Sequence, residues 1–178
     1  RSVNIKMNTI DINQLTKYLL LKDISIKDVK KIQDNILLNN YKKNEIIIKE
    51  NDKGKSILFL IDGGITISQA LTLKTNDYDY NDNREKELIK VNSKNEFFTF
   101  GEVSLLNEDK KRTATVKANS ECIIGRLNFD KLFNICEEDN KVGYQIMKNI
   151  AEIITKQLIR SNKNVLKLST AFSLMVEK

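Results

Sequence analysis

The chain has 178 residues, of which 40% are hydrophobic and 30% charged, the composition of an ordinary globular domain that can bury a core. It has no histidine and only two cysteines, Cys122 and Cys136, so a zinc site and a serine or cysteine nucleophile with a histidine base are excluded. We expect both thiols to be buried and inert, with no catalytic residues and no bound metal. Because there is no membrane-length apolar run and no signal pattern, we also expect a cytoplasmic protein without a membrane partner.

The formal net charge of +6 is concentrated near the C-terminus. Seven basic and three acidic residues follow from Asp139 onward, so this segment carries +4. Its lysines lie between apolar residues at helical spacing, as on a solvated helix face, and no aromatic platform for nucleobases accompanies them. We therefore expect no direct binding to nucleic acid.

The N-terminal 40 residues are expected to be helical. Residues 1–24 are polar apart from a cluster at 18–21, which predicts a helix or turn on the domain edge. Ser25 followed by Asp28 is typical of a helix N-cap. The helix is predicted to run to about Leu37, with one apolar side made by Ile26, Val29, Ile32 and Ile36 or Leu37.

From Tyr41 the pattern becomes extended. Segments 45–49, 56–61 and 65–73 are rich in Ile, Leu, Thr and Phe and are separated by turn sequences at 51–54 and 62–64. Short strands with turns at such intervals predict a β-sandwich or roll.

Residues 74–87 form a low-complexity segment that imitates the start of a calcium loop. Asp82 stands where the sharp turn of such a loop needs glycine, and Leu88 stands where a bidentate glutamate is needed. We therefore predict a solvated hairpin extension without a metal, followed by a strand at 88–91.

The stretch FTFGEVSLLNEDKKRTATV, residues 98–116, carries the recognisable chemistry. Gly101 and Glu102 precede an apolar turn at 103–106 that can form a single-turn helix, whose first N–H groups lack partners and attract an anion. Arg112 follows ten residues after Glu102, and the strand-like residues 113–118 can bring its guanidinium back over the helix start. There it could hold two phosphate oxygens, while the Glu102 carboxylate suits a sugar hydroxyl. The alternative is a plain turn with a Glu102–Arg112 ion pair.

The rest of the chain is predicted to close the roll and end in helices. Strands are expected at 113–117 and 122–127, and Asn128 is expected to cap a short helix at 129–135. A long helix follows from about Asp139 to Arg160 or beyond, with a possible interruption at 161–164. Its apolar stripe either packs on its own domain or, as we favour, forms a homodimer with the same helix of a second copy. The stripe comprises Val142, Ile146, Ile150, Ile154 and Leu158, then Val165, Leu168, Phe172 and Val176.

Residues 98–116 resemble the phosphate-binding cassette of cyclic-nucleotide-binding domains of the catabolite-activator type. The F-G-E and R-[ASTC]-A parts of that pattern are read at 100–104 and 112–114. Residues 41–68 resemble the first strands of the same family, with Asn44 and Asn51 at turns where glycine is usual; asparagine tolerates a positive φ. The connection at 92–99, which leads into the cassette, is about two residues longer than is usual in the family.

The resemblance implies a mainly β fold, a double-stranded β-helix or jelly-roll β-roll with an N-terminal helix and a long C-terminal helix. The expected parts are an N-terminal helical segment at 1–40, the β-roll at 41–138 and a helical or dimerisation segment at 139–178. The implied ligand-binding residues are Gly101, Glu102, Val103, Ser104, Arg112 and Thr113. Glu102 would hold the ribose 2′-hydroxyl, the Ser104 N–H and Arg112 the cyclic phosphate, and Thr113 would face the ligand.

The implied function is that of a sensor, not an enzyme, that relays ligand binding through the helix at 129–135 to the C-terminal helices. It would need no cofactor. We favour cAMP, because the C-terminal residues 162–178 look bacterial, and keep cGMP as possible because Thr113 can donate or accept. Two alternatives remain, namely a structural or dimerisation module without a ligand and the effector part of a transcription regulator cut off before its DNA-binding part.

Overall fold

The computed structural model describes residues 10–70 and 85–176, which fold into a β-roll flanked by helices. The strands are β1 (Ile36–Tyr41), β2 (Ile46–Ile48), β3 (Ser56–Asp62), β4 (Gly64–Ala70), β5 (Glu85–Asn92), β6 (Thr99–Phe100), β7 (Thr115–Ala118) and β8 (Cys122–Asn128). They form two four-stranded antiparallel sheets that face each other, with strand orders β1-β8-β3-β6 and β2-β7-β4-β5. The fold is thus the predicted mainly β roll.

Five α-helices and a 3₁₀ turn at Leu19–Leu21 occur in the described part of the chain. The helices are α1 (Ile12–Leu15), α2 (Ile26–Gln33), α3 (Val103–Leu106), α4 (Phe129–Glu138) and α5 (Asn140–Val176). The predicted N-caps are confirmed, since Ser25 Oγ accepts from the Asp28 N–H at 3.2 Å and Asn128 Oδ1 accepts from the Asp130 N–H at 2.8 Å. Most of the predicted hairpin extension at 74–87, including most of the segment compared with a calcium loop, lies outside the described residues.

The predicted C-terminal end of α2 was wrong. The helix stops at Gln33, and Ile36 and Leu37 begin strand β1, opposite Leu127 and Arg126 of β8. These apolar residues fit a helical spacing and a strand equally well. Pairing with β8 along the whole of β1 decides in favour of the strand, so extended structure starts five residues before Tyr41.

Two asparagines make the turns expected of them. Asn44 has a φ of 73° and Asn51 a φ of 70°, both in the left-handed region. The turn at Asn51 also ties the β2–β3 connection to the cassette. Its N–H donates to the Arg112 carbonyl at 2.9 Å, and the Arg112 N–H returns a bond to the Asp52 carbonyl at 2.9 Å.

Strand β3 is buried on both faces. Leu58 and Leu60 pack inside the roll, whereas Ile57 and Phe59 pack against the helices, so the strand separates two apolar clusters. This explains why its sequence is continuously apolar instead of alternating. Cys122 is buried inside the roll, and Cys136 of α4 is partly exposed.

Helix α5 is continuous, so the interruption considered possible at 161–164 does not occur. Those residues are polar, but none is Gly or Pro, and nothing in them removes a backbone donor. Its first half packs on the domain through Val142, Ile146, Ile150 and Ile153, whereas residues 155–176 are all exposed. No helix of the described part has both the length and the apolarity that crossing a bilayer requires.

Candidate functional site

The six predicted site residues line one cavity. It has a volume of about 350 Å³ and lies between the sheet of β2, β7, β4 and β5, the helix α3 and the middle of α5. Gly101, Glu102, Val103, Ser104, Arg112 and Thr113 all contribute to its wall. The structure therefore brings together residues that the sequence places in two groups, although their roles towards a ligand remain predictions.

The connection from β6 to α3 depends on Gly101. Its φ of 86° lies in the left-handed region, and a Cβ at this position would lie 2.4 Å from Arg112 Nη1. The chain then forms the predicted single turn, α3, at Val103–Leu106. Gly101 thus permits both the turn and the close approach of the guanidinium.

Arg112 is 5% exposed and lies beneath the start of α3. Its Nη1 donates to the Gly101 carbonyl at 2.9 Å and to Ser104 Oγ at 3.4 Å, and its Nη2 donates to the Ser56 carbonyl at 2.8 Å. Gly54 leaves the space for this arrangement, because a Cβ there would lie 2.9 Å from Arg112 Cζ. A guanidinium has five N–H donors. Among the described residues, two of the five, the Nε–H and one N–H of Nη2, have no hydrogen-bond partner.

The charge of Arg112 has no carboxylate partner. No ion pair within 4.0 Å joins it to Glu102 or to another acidic side chain of the described ranges, so the alternative of a Glu102–Arg112 ion pair is not supported. Burial, with repulsion from Arg126, lowers the pKa of Arg112 to about 10 in spite of Glu102. The group is still protonated at neutral pH. A buried cation of this kind favours an anion in the adjoining cavity.

Glu102 is 1% exposed and has only one partnered oxygen. Gln157 Nε2 of α5 donates to Glu102 Oε1 at 2.6 Å, whereas Oε2 is the one buried side-chain polar atom, within residues 10–70 and 85–176, that has no partner. Burial raises the pKa of Glu102. Hydrogen bonds from its own backbone and from Gln157, together with the charge of Arg112, lower the pKa and so limit this rise. A donor entering the cavity would satisfy Oε2.

The resemblance implied that the C-terminal helix can cover the ligand, but sequence reasoning named none of the α5 residues that line the cavity. Gln157, Arg160, Ser161 and Asn164 line the cavity. A signal was present, because these positions continue, at intervals of three and four, the helix face that Ile150 and Ile153 bury against the domain.

The remaining wall of the cavity is mostly apolar. The sheet of β2, β7, β4 and β5 contributes Ile67, Ile89 and Val116 to this wall. The segment before α3 contributes Phe98 and Phe100. Apolar walls with a few converging polar groups are typical of small-ligand sites. No cluster of three or more His, Cys, Asp or Glu side chains suited to a metal ion occurs among the residues that the structure describes.

Comparison with known proteins agrees with this geometry. Residues 38–139 match the family model of the cyclic nucleotide-binding domain. The chain is 26% identical to cGMP-dependent protein kinase 2 of Homo sapiens over 165 residues, which is 91% of this chain and 20% of the kinase. It is 24% identical to the cAMP-activated global transcriptional regulator Vfr of Pseudomonas aeruginosa over 131 residues, 74% of this chain and 57% of Vfr.

A solved structure shows the same fold. A cyclic nucleotide-binding domain from Methylobacillus flagellatus superposes with a TM-score of 0.71 at 17% identity, covering 87% of this chain and 80% of that one. The family model spans the roll and the complete cassette. The chain belongs to the cyclic nucleotide-binding domain family.

Proposed function

We propose that this chain is a sensor module that binds a cyclic purine nucleotide, cAMP first and cGMP second, and relays binding to its C-terminal helix. The observation that carries the proposal is the buried Arg112 guanidinium, which has no carboxylate partner within residues 10–70 and 85–176 and lies beside a cavity of about 350 Å³. That volume is within the range of roughly 300–1,000 Å³ for small-ligand pockets.

In the proposed complex the cyclic phosphate lies between α3 and Arg112. Its oxygens accept from the N–H groups on Nε and Nη2 of Arg112 that lack a partner in the described residues, and from the Ser104 backbone N–H, which as an early helical residue has no intrahelical acceptor. The ribose 2′-hydroxyl donates to Glu102 Oε2. The purine then extends along the apolar wall towards α5, with Thr113 at its side.

The relay runs from the cassette to the helices. Leu105 of α3 packs in the same cluster as Phe129 and Leu132 of α4, and Arg112 Cζ lies 6.0 Å from the centroid of the Phe129 ring. Helix α4 in turn packs on α5. A ligand shifts these helices only as far as it binds one arrangement more tightly than the other.

We further propose that the module is a cytoplasmic homodimer formed through α5. Leu158, Val165, Leu168 and Phe172 are exposed, and their spacing of seven, three and four residues matches a two-helix seam. Two such stripes would cover each other in an isologous contact. Sedimentation of Phe172→Glu as a monomer and of the unmodified chain as a dimer would support this arrangement, and sedimentation of both as monomers would exclude it.

A second candidate, a structural module without ligand, is favoured by one observation. Arg112 already has three hydrogen bonds within the protein and Glu102 has one, so part of the site is satisfied internally. The two functions are separated by thermal unfolding with cAMP, cGMP and 5′-AMP. A ligand at about 100 times its Kd adds roughly 2.7 kcal/mol to the free energy of unfolding. A sensor is stabilised by a cyclic nucleotide and not by 5′-AMP, whereas a structural module responds to neither.

A further inference from the structure

One hydrogen bond connects the cassette directly to helix α5. Gln157 Nε2 donates to Glu102 Oε1 at 2.6 Å, across 55 residues of sequence. The other oxygen of the same carboxylate, Oε2, is buried and has no partner in the described part of the chain. Both residues line the cavity. The carboxylate is thus held from the helix side and open on one oxygen.

We propose that Gln157 is a positioning residue for Glu102, holding Oε1 so that Oε2 stays free to accept a hydroxyl of the bound nucleotide. The inference rests on the proposed function and adds a residue to it. Ligand occupancy then reaches α5 through one shared carboxylate, in addition to the path through α4.

The need for such a residue follows from the surroundings of Glu102. In the part of the chain that the structure describes, the charged groups on the cavity wall besides Glu102 are Arg112 of the cassette and Arg160 of α5. A flexible glutamate released from Gln157 can turn towards Arg112 and pair with it, because opposite charges attract strongly in a buried site. That ion pair would neutralise the guanidinium and remove the anion site. The Gln157 hydrogen bond opposes this rearrangement by giving the carboxylate another partner.

Helix α5 is anchored firmly enough for this role. Two turns before Gln157, the buried Asn149 donates through Nδ2 to the carbonyls of Leu20 and Lys22 at 2.9 and 2.8 Å. Ile150 and Ile153, on the same helix face, are buried in the core cluster. These contacts fix the rotation and the register of α5, so the amide of Gln157 is presented at a defined position.

The test is a double-mutant cycle on cAMP affinity, measured by titration calorimetry. Gln157→Leu in the otherwise unchanged chain is expected to weaken binding about tenfold, because the released carboxylate must leave Arg112 before both groups can contact the nucleotide. In a Glu102→Ala background the same change is expected to alter affinity by less than about twofold, because its target is gone. Asn162→Leu is the matched control, because Asn162 is an exposed amide on the same helix that does not line the cavity, and its replacement should leave affinity unchanged.

A pH profile separates positioning from general structural damage. An ionised carboxylate accepts a hydroxyl more strongly than a neutral acid does, so cAMP affinity should fall as the pH drops through the pKa of Glu102. Because the Gln157 hydrogen bond lowers that pKa, the fall should begin at higher pH in Gln157→Leu and at the unchanged pH in Asn162→Leu. The positioning role is overturned if the pH midpoint of cAMP affinity does not move in Gln157→Leu. It is also overturned if Gln157→Leu weakens cAMP binding equally with Glu102 and with Glu102→Ala. Either result leaves the sensor function intact. Failure of the unmodified chain to bind cAMP or cGMP overturns both.

Discussion

Replacing Arg112 by lysine keeps the positive charge of the site and removes the planar fork. In the unmodified protein the guanidinium donates to the carbonyls of Gly101 and Ser56 from two different nitrogens. A single ammonium cannot span both, so at least one buried carbonyl loses its donor, at a cost of about 1–3 kcal/mol in the free energy of unfolding. In the proposed complex the phosphate would lose the fork and keep only a point charge, at a cost of about 1.5–3 kcal/mol, or roughly ten- to a hundredfold in cAMP affinity.

The assay combines titration calorimetry with cAMP and urea unfolding of the same samples. Arg126→Lys is the control, because Arg126 also bonds through both terminal nitrogens, to Ser56 Oγ at 3.3 Å and to the Tyr41 hydroxyl at 3.0 Å, yet does not line the cavity. It should lose stability and keep its affinity within about twofold.

Two results would refute the reasoning. One is a folded Arg112→Lys protein that binds cAMP as tightly as the unmodified chain, which would mean that the fork does not hold the phosphate. The other is an equal loss of affinity in Arg126→Lys, which would mean that the effect follows from general destabilisation or net charge and not from the cavity.

Three further substitutions test the surroundings of the site. Gly54→Ala should weaken cAMP binding at least about tenfold in calorimetry, because the new Cβ would lie 2.5 Å from Ser104 Cβ and 2.9 Å from Arg112 Cζ; unchanged affinity would contradict this. Burial raises the pKa of Glu102 above its ordinary 4.5, so the unmodified chain loses stability as the pH rises from 4.5 through the raised value. Glu102→Gln should therefore have a higher urea midpoint at neutral pH, with a gap that narrows on acidification; a gap independent of pH would contradict it. Asn149→Ala should lower the free energy of unfolding by about 1–3 kcal/mol and speed amide exchange in α5, because the carbonyls of Leu20 and Lys22 lose their donor. An unchanged urea midpoint would argue against that anchor.

The parts of the site that sequence could predict are those held by local chemistry. Gly101 to Ser104 are consecutive, and Arg112 returns to them after a short loop, so the motif itself contains most of the geometry. The caps at Ser25 and Asn128 and the turns at 44 and 51 likewise depend on one side chain and its nearest neighbours.

The parts that it could not predict depend on tertiary contacts. Ser56 contributes a main-chain carbonyl to Arg112, and a carbonyl has no sequence signature. Gln157 reaches Glu102 only because α5 docks at a particular rotation, fixed by Asn149 and the neighbouring isoleucines. The end of α2 was misplaced for a similar reason, since the partner strand β8 lies about ninety residues further along the chain and outweighs a local helical pattern.

The most direct test of the central claim is nuclear magnetic resonance of the arginine Nε–H groups in the ¹⁵N-labelled chain, with and without saturating cAMP. A cyclic phosphate held between α3 and Arg112 predicts a large downfield shift of the Arg112 Nε–H, a shift of the Ser104 amide, and little change at Arg126. If cAMP saturates the protein and the Arg112 Nε–H does not move, or if no resonance responds to cAMP or cGMP, the proposed binding site is contradicted.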